Sequence, residues 1–202
     1  MEKNEEYAAI ISAAETLNPD GTKGEVALAN VDRDVPTEEL IMIGGGGFST
    51  NTLLFRTEFT KNFPDFYLKC CVEDYPLILY LSLCGKVYFL KEKMTVYRIC
   101  SNGSWTERVL KSSFSSFESH YVSINKTLEE FNEYSNKKFD DSIKKRIELN
   151  YRGVLSRMRI FSWKNFNDPK YKYLKKYAKP FEWQLNKLYA RLKIYDLRNK
   201  RK

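Results

Sequence analysis

Up to about residue 106 the apolar positions come in short runs separated by turn residues. Beyond that point they recur at helical spacing among many charges. Residues 6–16, with Ala-Ala-Ile-Ile-Ser-Ala-Ala at their centre, fit a strand or a short helix. Asn18-Pro19-Asp20-Gly21-Thr22 carries turn chemistry, and residues 24–29 read as a second short strand, so a hairpin is expected. Pro36 to Ile41 reads as a helix start with Thr37 as N-cap, closed at once by Gly44 to Gly47. Residues 48–56 are expected to form a buried strand, 57–62 a short helical turn and 64–67 a loop. Glu73-Asp74-Tyr75-Pro76 opens a helix apolar on most sides that runs to Cys84, with acids in the first turn and Gly85 as its stop. Strands follow at 86–90 and 94–99. Long helices are expected near 107–134, 141–162 and 181–198, with a shorter one near 169–178; Pro169 and Pro180 mark boundaries. The fold class is therefore α/β, a mixed sheet with packed helices followed by an α-helical C-terminal region. The boundary falls between residues 1–106 and 107–202.

Composition narrows the class. The 202 residues are 43% hydrophobic, 30% charged and 15% aromatic, which excludes a disordered, collagenous or disulfide-scaffold chain. No apolar run reaches the roughly 18 residues that span a bilayer. The acidic opening Met1-Glu2-Lys3-Asn4-Glu5-Glu6 does not read as a secretory signal. Cys70, Cys71, Cys84 and Cys100 make no C-x-x-C pair, and His120 is the only histidine. Free buried thiols in a reducing cytoplasm are expected rather than a zinc site, and His120 reads as structural.

The net charge of +8 divides unevenly. Residues 1–136 hold 13 Lys and Arg against 20 Asp and Glu, a charge of −7. Residues 137–202 hold 21 against 6, a charge of +15. Tyr171, Tyr173, Tyr177, Phe181, Trp183, Tyr189 and Tyr195 are interleaved with those cations. A membrane-surface region, a nucleic-acid surface and a solvated helical cap with aromatic core all fit this pattern.

Four constellations are candidates for chemistry. Gly44 to Gly47 lacks the Lys-Ser/Thr ending of a phosphate loop and reads as a flexible loop beside a site. Asp32-Arg33-Asp34 has the spacing of a carboxylate pair for Mg²⁺ or Mn²⁺, but exposed loop charges fit it as well. Glu73-Asp74 is either a simple acidic helix start or a carboxylate placed to accept a proton. Tyr97-Arg98, followed by a polar glycine loop through Trp105, suits phosphate binding or a structural ion pair.

The run Gly44 to Thr106 resembles the C-terminal half of the catalytic domain of glycosyltransferase family 2, the inverting GT-A-type enzymes of bacterial polysaccharide synthesis. The matching passages are Phe48-Ser49-Thr50-Asn51-Thr52-Leu53-Leu54-Phe55-Arg56, the acidic pair Glu73-Asp74 with its helix, Gly85 to Leu90, and Met94 to Arg98. Met1 to Tyr7 is similar to a mid-domain passage of such enzymes. The resemblance implies Asp74 as the base that deprotonates the acceptor hydroxyl, supported by Glu73. It places Thr50, Asn51, Arg56, Tyr97, Arg98 and Trp105 at the substrates. It also implies a nucleotide-sugar donor, a saccharide or lipid-linked acceptor, and a divalent metal (Mn or Mg) in the complete enzyme. Cys100 stands where many relatives have a histidine. The family's nucleotide-binding half, with its D-x-D metal site, has no counterpart ahead of these passages. The expectation is therefore an acceptor-side portion, inactive alone and binding no metal itself, with another chain as a candidate source of the missing half. Asp32 and Asp34, out of order, are expected to be a decoy. A cytoplasmic location is expected, peripheral at the inner membrane face. The competing expectation is a non-enzymatic module that binds nucleic acid or anionic partners through residues 137–202.

Overall fold

The computed structural model describes residues 1–199; residues 200–202, the end of the expected basic region, lie outside the described residues. Strand β1 (Tyr7–Leu17) is the centre of a mixed sheet. Strand β5 (Lys86–Arg98) lies parallel along one edge of β1. The other edge is shared by β2 (Lys23–Val26), opposite residues 14–17, and β4 (Leu53–Phe55), opposite residues 9–11, both antiparallel. Strand β3 (Arg33–Val35) closes the far side antiparallel to β5. Both edges and both faces of β1 are covered, so Ala8, Ala9, Ile11, Ala13 and Ala14 are buried. This resolves the strand-or-helix ambiguity. Alanine prefers a helix, but small side chains let neighbouring layers approach a central strand, and tertiary burial overrides the propensity.

The helices of this region are α1 (Thr37–Ile43), α2 (Asp65–Leu68), α3 (Asp74–Cys84) and α4 (Trp105–Lys111). Helix α3 buries Tyr75, Pro76, Leu77, Ile78, Leu79 and Leu81, as its apolar composition requires. It stops before Gly85, whose extended backbone (φ 177°) any residue could adopt. What demands glycine there is the neighbouring strand. A Cβ at Gly85 would lie 2.8 Å from the Glu6 carbonyl oxygen and 3.1 Å from Ala8 Cβ. The same carbonyl accepts the Lys86 amide at 2.8 Å, so the turn from α3 into β5 is fastened to the start of β1.

Several boundaries differ from the sequence pattern. Thr37 is the first helical residue of α1 rather than its cap, and Pro36 precedes it with no side-chain cap. The strand expected at 48–56 is a 3-10 turn at Thr50–Thr52 followed by three-residue β4, with Leu54 exposed. The loop at 64–67 contains the single turn α2. The two strands at 86–90 and 94–99 are one bulged strand, β5. Its charged middle is held by Asp32 Oδ1, which accepts from the Lys91 amide at 2.8 Å, and by a Lys93–Glu25 pair at 2.7 Å. The helix expected at 107–134 is broken at Ser112–Ser113, where Ser113 Oγ accepts from the Ser116 amide and starts α5 (Phe114–Tyr134).

Helices α5 and α6 (Asp140–Phe161) each run through two compact units, one of residues 1–112 with 123–146 and one of 113–122 with 147–202. Within the first, Phe66, Phe131 and Phe139 pack ring to ring, with Phe66–Phe131 at 5.5 Å and Phe131–Phe139 at 5.9 Å. The second is built around Phe114, Val154, Leu155, Met158, Phe166, Tyr171, Leu174 and Trp183. Its segment Pro169–Tyr177 is 3-10 rather than α, and it ends in α7 (Glu182–Asn199). Among the described residues the cysteines form no disulfide and are not deeply buried: three are half-buried and Cys71 is exposed. Among the described residues no helix is long and apolar enough to cross a membrane.

Gly85→Ala is expected to destabilise the protein by ~1–3 kcal/mol, because the added methyl forces apart two paired strands. Urea unfolding checks it; an unchanged midpoint would show that β1 and β5 yield freely at this point.

Candidate active site

Asp74 is the first residue of α3, half-exposed, with Glu73 exposed just ahead of it. Both carboxylate oxygens of Asp74 accept hydrogen bonds. Oδ1 takes the Tyr75 amide at 2.8 Å, and Oδ2 takes the Thr50 hydroxyl at 2.6 Å across 24 residues of chain. Thr50 is held in place by the 3-10 turn it begins, where Thr52 is buried and donates its hydroxyl to the Ser49 carbonyl at 2.7 Å. The next residue, Asn51, donates its amide to the Val96 carbonyl at 3.3 Å, beside Tyr97 in β5. The Tyr97 hydroxyl in turn lies 3.2 Å from the Thr106 hydroxyl, next to Trp105 at the start of α4. Trp105 is half-exposed. The turn at 50–52 thus connects the acid of α3 to the carboxyl half of β5, and Tyr97 connects β5 to α4. Six residues expected at the site from the sequence (Glu73, Asp74, Thr50, Asn51, Tyr97 and Trp105) fall on these linked segments.

The other two lie differently. Arg98 ends β5 with its side chain exposed. Arg56 serves the start of the chain: its Nε donates to the Tyr7 carbonyl at 2.9 Å, and its Nη2 donates to the carbonyls of Met1 at 2.8 Å and Asn4 at 3.1 Å. A guanidinium holding three carbonyls acts as a clamp on the residues entering β1. Cys100 follows β5 in a left-handed conformation, φ 52°. His120, in the second unit, lies against the Tyr121 ring at 5.6 Å.

The tetraglycine packs beside the acid as a short 3-10 turn, Gly44–Gly46, rather than as an open loop. Gly44 has φ 66°, and a Cβ there would collide with the Arg146 guanidinium. Arg146 reaches in from α6, across 104 residues, to donate to the Met42 carbonyl at 2.8 Å. A Cβ on Gly45 would lie 3.5 Å from Tyr75, the residue after Asp74. Tyr75 is buried and donates its hydroxyl to the Ile41 carbonyl at 2.8 Å. Burial pushes its phenol well above the ordinary value, and the Arg146 charge works against that shift. The phenol therefore stays neutral and acts as a fixed strut. Arg146 and Tyr75 were missed in the sequence. No spacing rule connects an arginine inside a charged helix with glycines a hundred residues earlier, and Tyr75 stood out only as part of the helix opening Glu73-Asp74-Tyr75-Pro76.

Asp32 and Asp34 are engaged by the sheet. Asp32 takes the Lys91 amide, while Asp34 takes the Tyr7 hydroxyl at 2.7 Å and faces Lys86 at 3.8 Å. The bond to Asp34 is the main reason that the Tyr7 phenol is pushed up to about 12. A cleft of about 310 Å³ runs past Asp34, Thr37, Ser82 and Lys86 and includes none of the residues around Asp74. Among the described residues no three His, Cys, Asp or Glu side chains gather as a metal cage. No family model, curated protein or solved structure matches the chain.

Gly44→Ala is expected to cost ~1–3 kcal/mol, from the left-handed backbone and from displacing Arg146 off the Met42 carbonyl. Denaturant unfolding of this variant, of Arg146→Ala and of the double variant checks it. Fully additive losses in the double variant would mean that the two residues do not meet.

Proposed function

We propose that the first unit is the acceptor-side portion of an inverting, family-2-type glycosyltransferase, with Asp74 as the base that activates the acceptor hydroxyl. The observation that carries this reading is the 2.6 Å bond between Thr50 and Asp74. It fixes a half-exposed carboxylate at the mouth of a buried helix, between the two passages, 48–56 and 73–84, on which the resemblance rests. Inversion requires one base on the acceptor side. It takes the proton as the acceptor oxygen attacks the anomeric carbon, and the nucleotide departs from the opposite face. Thr50 donates to Oδ2 and the Tyr75 amide to Oδ1, which sets the carboxylate plane and leaves each oxygen a lone pair for the incoming hydroxyl. Glu73 is exposed beside Asp74 at the same helix start. Tyr97 and Trp105 offer flat rings for a sugar face. Arg98 offers a charge-assisted donor to a hydroxyl or a phosphate. The donor nucleotide and its metal belong to a nucleotide-binding half, because Asp32 and Asp34 are engaged elsewhere.

The test is binding of the purified chain to an array of bacterial capsule and O-antigen oligosaccharides, followed by calorimetry on the strongest ligand. Saturable binding is expected. It should weaken roughly ten- to a hundredfold in Asp74→Asn, since a hydrogen bond to a charged group contributes ~1.5–3 kcal/mol, with the melting temperature within a few degrees of the parent. No oligosaccharide retained, or equal affinity in Asp74→Asn, would overturn the proposal.

A further inference from the structure

Helix α7 has two apolar faces, and only one of them is used by the fold. Trp183 and Ala190 are buried, and Trp183 joins the second unit's core. On the opposite side Leu185, Leu188 and Leu192 are 65%, 54% and 55% exposed. Their spacing of three and four residues at 100° per residue puts all three within an arc of about 60°. Tyr189 borders the stripe at 48%, and Phe181, just ahead of the helix, is 74% exposed. Arg191 and Lys193 fall on either side of the stripe by the same angular count, both exposed. Lys193 Nζ lies 5.1 Å from the Tyr189 ring centre and 5.4 Å from that of Trp163.

Charge identifies what covers the stripe. The second unit carries 16 Lys and Arg against five Asp and Glu, a net charge of +11. Pairing two copies through this face would bring two strongly cationic bodies together. Seating it on an anionic surface neutralises them. Nucleic acid would satisfy the cations but leave the leucines wet. We infer that the outer face of α7 docks on an anionic membrane leaflet. Leu185, Leu188 and Leu192 enter the boundary between headgroups and acyl chains, while Arg191 and Lys193 reach lipid phosphates on both flanks. The inference concerns the second unit and does not depend on the transferase reading, and its test involves no sugar.

The test is co-sedimentation of the full chain with vesicles of phosphatidylcholine alone and of phosphatidylcholine with about 30% phosphatidylglycerol, at near-physiological salt. Partition onto the anionic vesicles is expected, falling with added salt and at least tenfold weaker on neutral ones. In Leu185→Ser/Leu188→Ser/Leu192→Ser, whose side chains the core does not use, partition should fall at least tenfold with circular dichroism unchanged. If that variant is unfolded, Arg191→Glu/Lys193→Glu should show the same loss. Four results would overturn the inference: no partition of the parent onto anionic vesicles; equal partition of the folded variants; a dimer that the leucine variant dissociates without any vesicle binding; or gel-shifted nucleic acid, insensitive to the leucines, with no vesicle binding.

Discussion

The close parallel contact between the start of β1 and the turn from α3 into β5 governs the arrangement of the first unit. Glu6 offers its carbonyl to Lys86, and Gly85 lacks the Cβ that would block the approach. Two parallel neighbours need a long connection. Here residues 18–85 make it and carry both Asp74 and its partner Thr50. Because α3 ends at the entrance of β1, it runs back along the sheet, and its N-terminus points toward the carboxyl halves of β1 and β5. Open α/β sheets gather ligands at that end of their strands. The Thr50–Asp74 and Asn51–Val96 bonds lie between those segments.

The parts of this arrangement that were legible in the sequence are those that local chemistry decides. The Asn18–Thr22 turn, the acidic opening of α3 and its arrest at Gly85 follow from turn and helix-end rules. At Gly85, where the helix does stop, it is the close approach to Glu6 that requires glycine. The illegible parts depend on partners distant in sequence. Lys91-Glu92-Lys93 read as a break between strands, yet an Asp32 side chain and a Glu25 ion pair carry β5 through it. The apolar Leu53-Leu54-Phe55 read as a buried strand, yet β4 is an edge element with Leu54 in solvent. At the candidate site, Asp74 was named by resemblance and by its position at a helix start. The tetraglycine drew attention for flexibility and turned out to be a seat for Arg146.

The split in charge is also divided by the structure. Of the aromatics interleaved with the C-terminal cations, Tyr171 and Trp183 are core, whereas Phe181 and Tyr189 face solvent; the side chain of Tyr195 lies outside the described residues. A solvated cap with an aromatic core and an amphipathic surface are therefore two sides of one unit rather than rival descriptions.

We propose that Asp74 is an acceptor-side base and that Asp32 and Asp34 are not a donor's metal ligands. Calorimetric titration of UDP and a set of UDP-sugars into the folded protein, with and without Mn²⁺, tests it most directly. The account predicts no metal-dependent binding, because Asp32 and Asp34 hold the Lys91 amide, the Tyr7 hydroxyl and Lys86. Micromolar, Mn²⁺-dependent binding of any of these nucleotides would contradict it and return Asp32 and Asp34 as metal ligands.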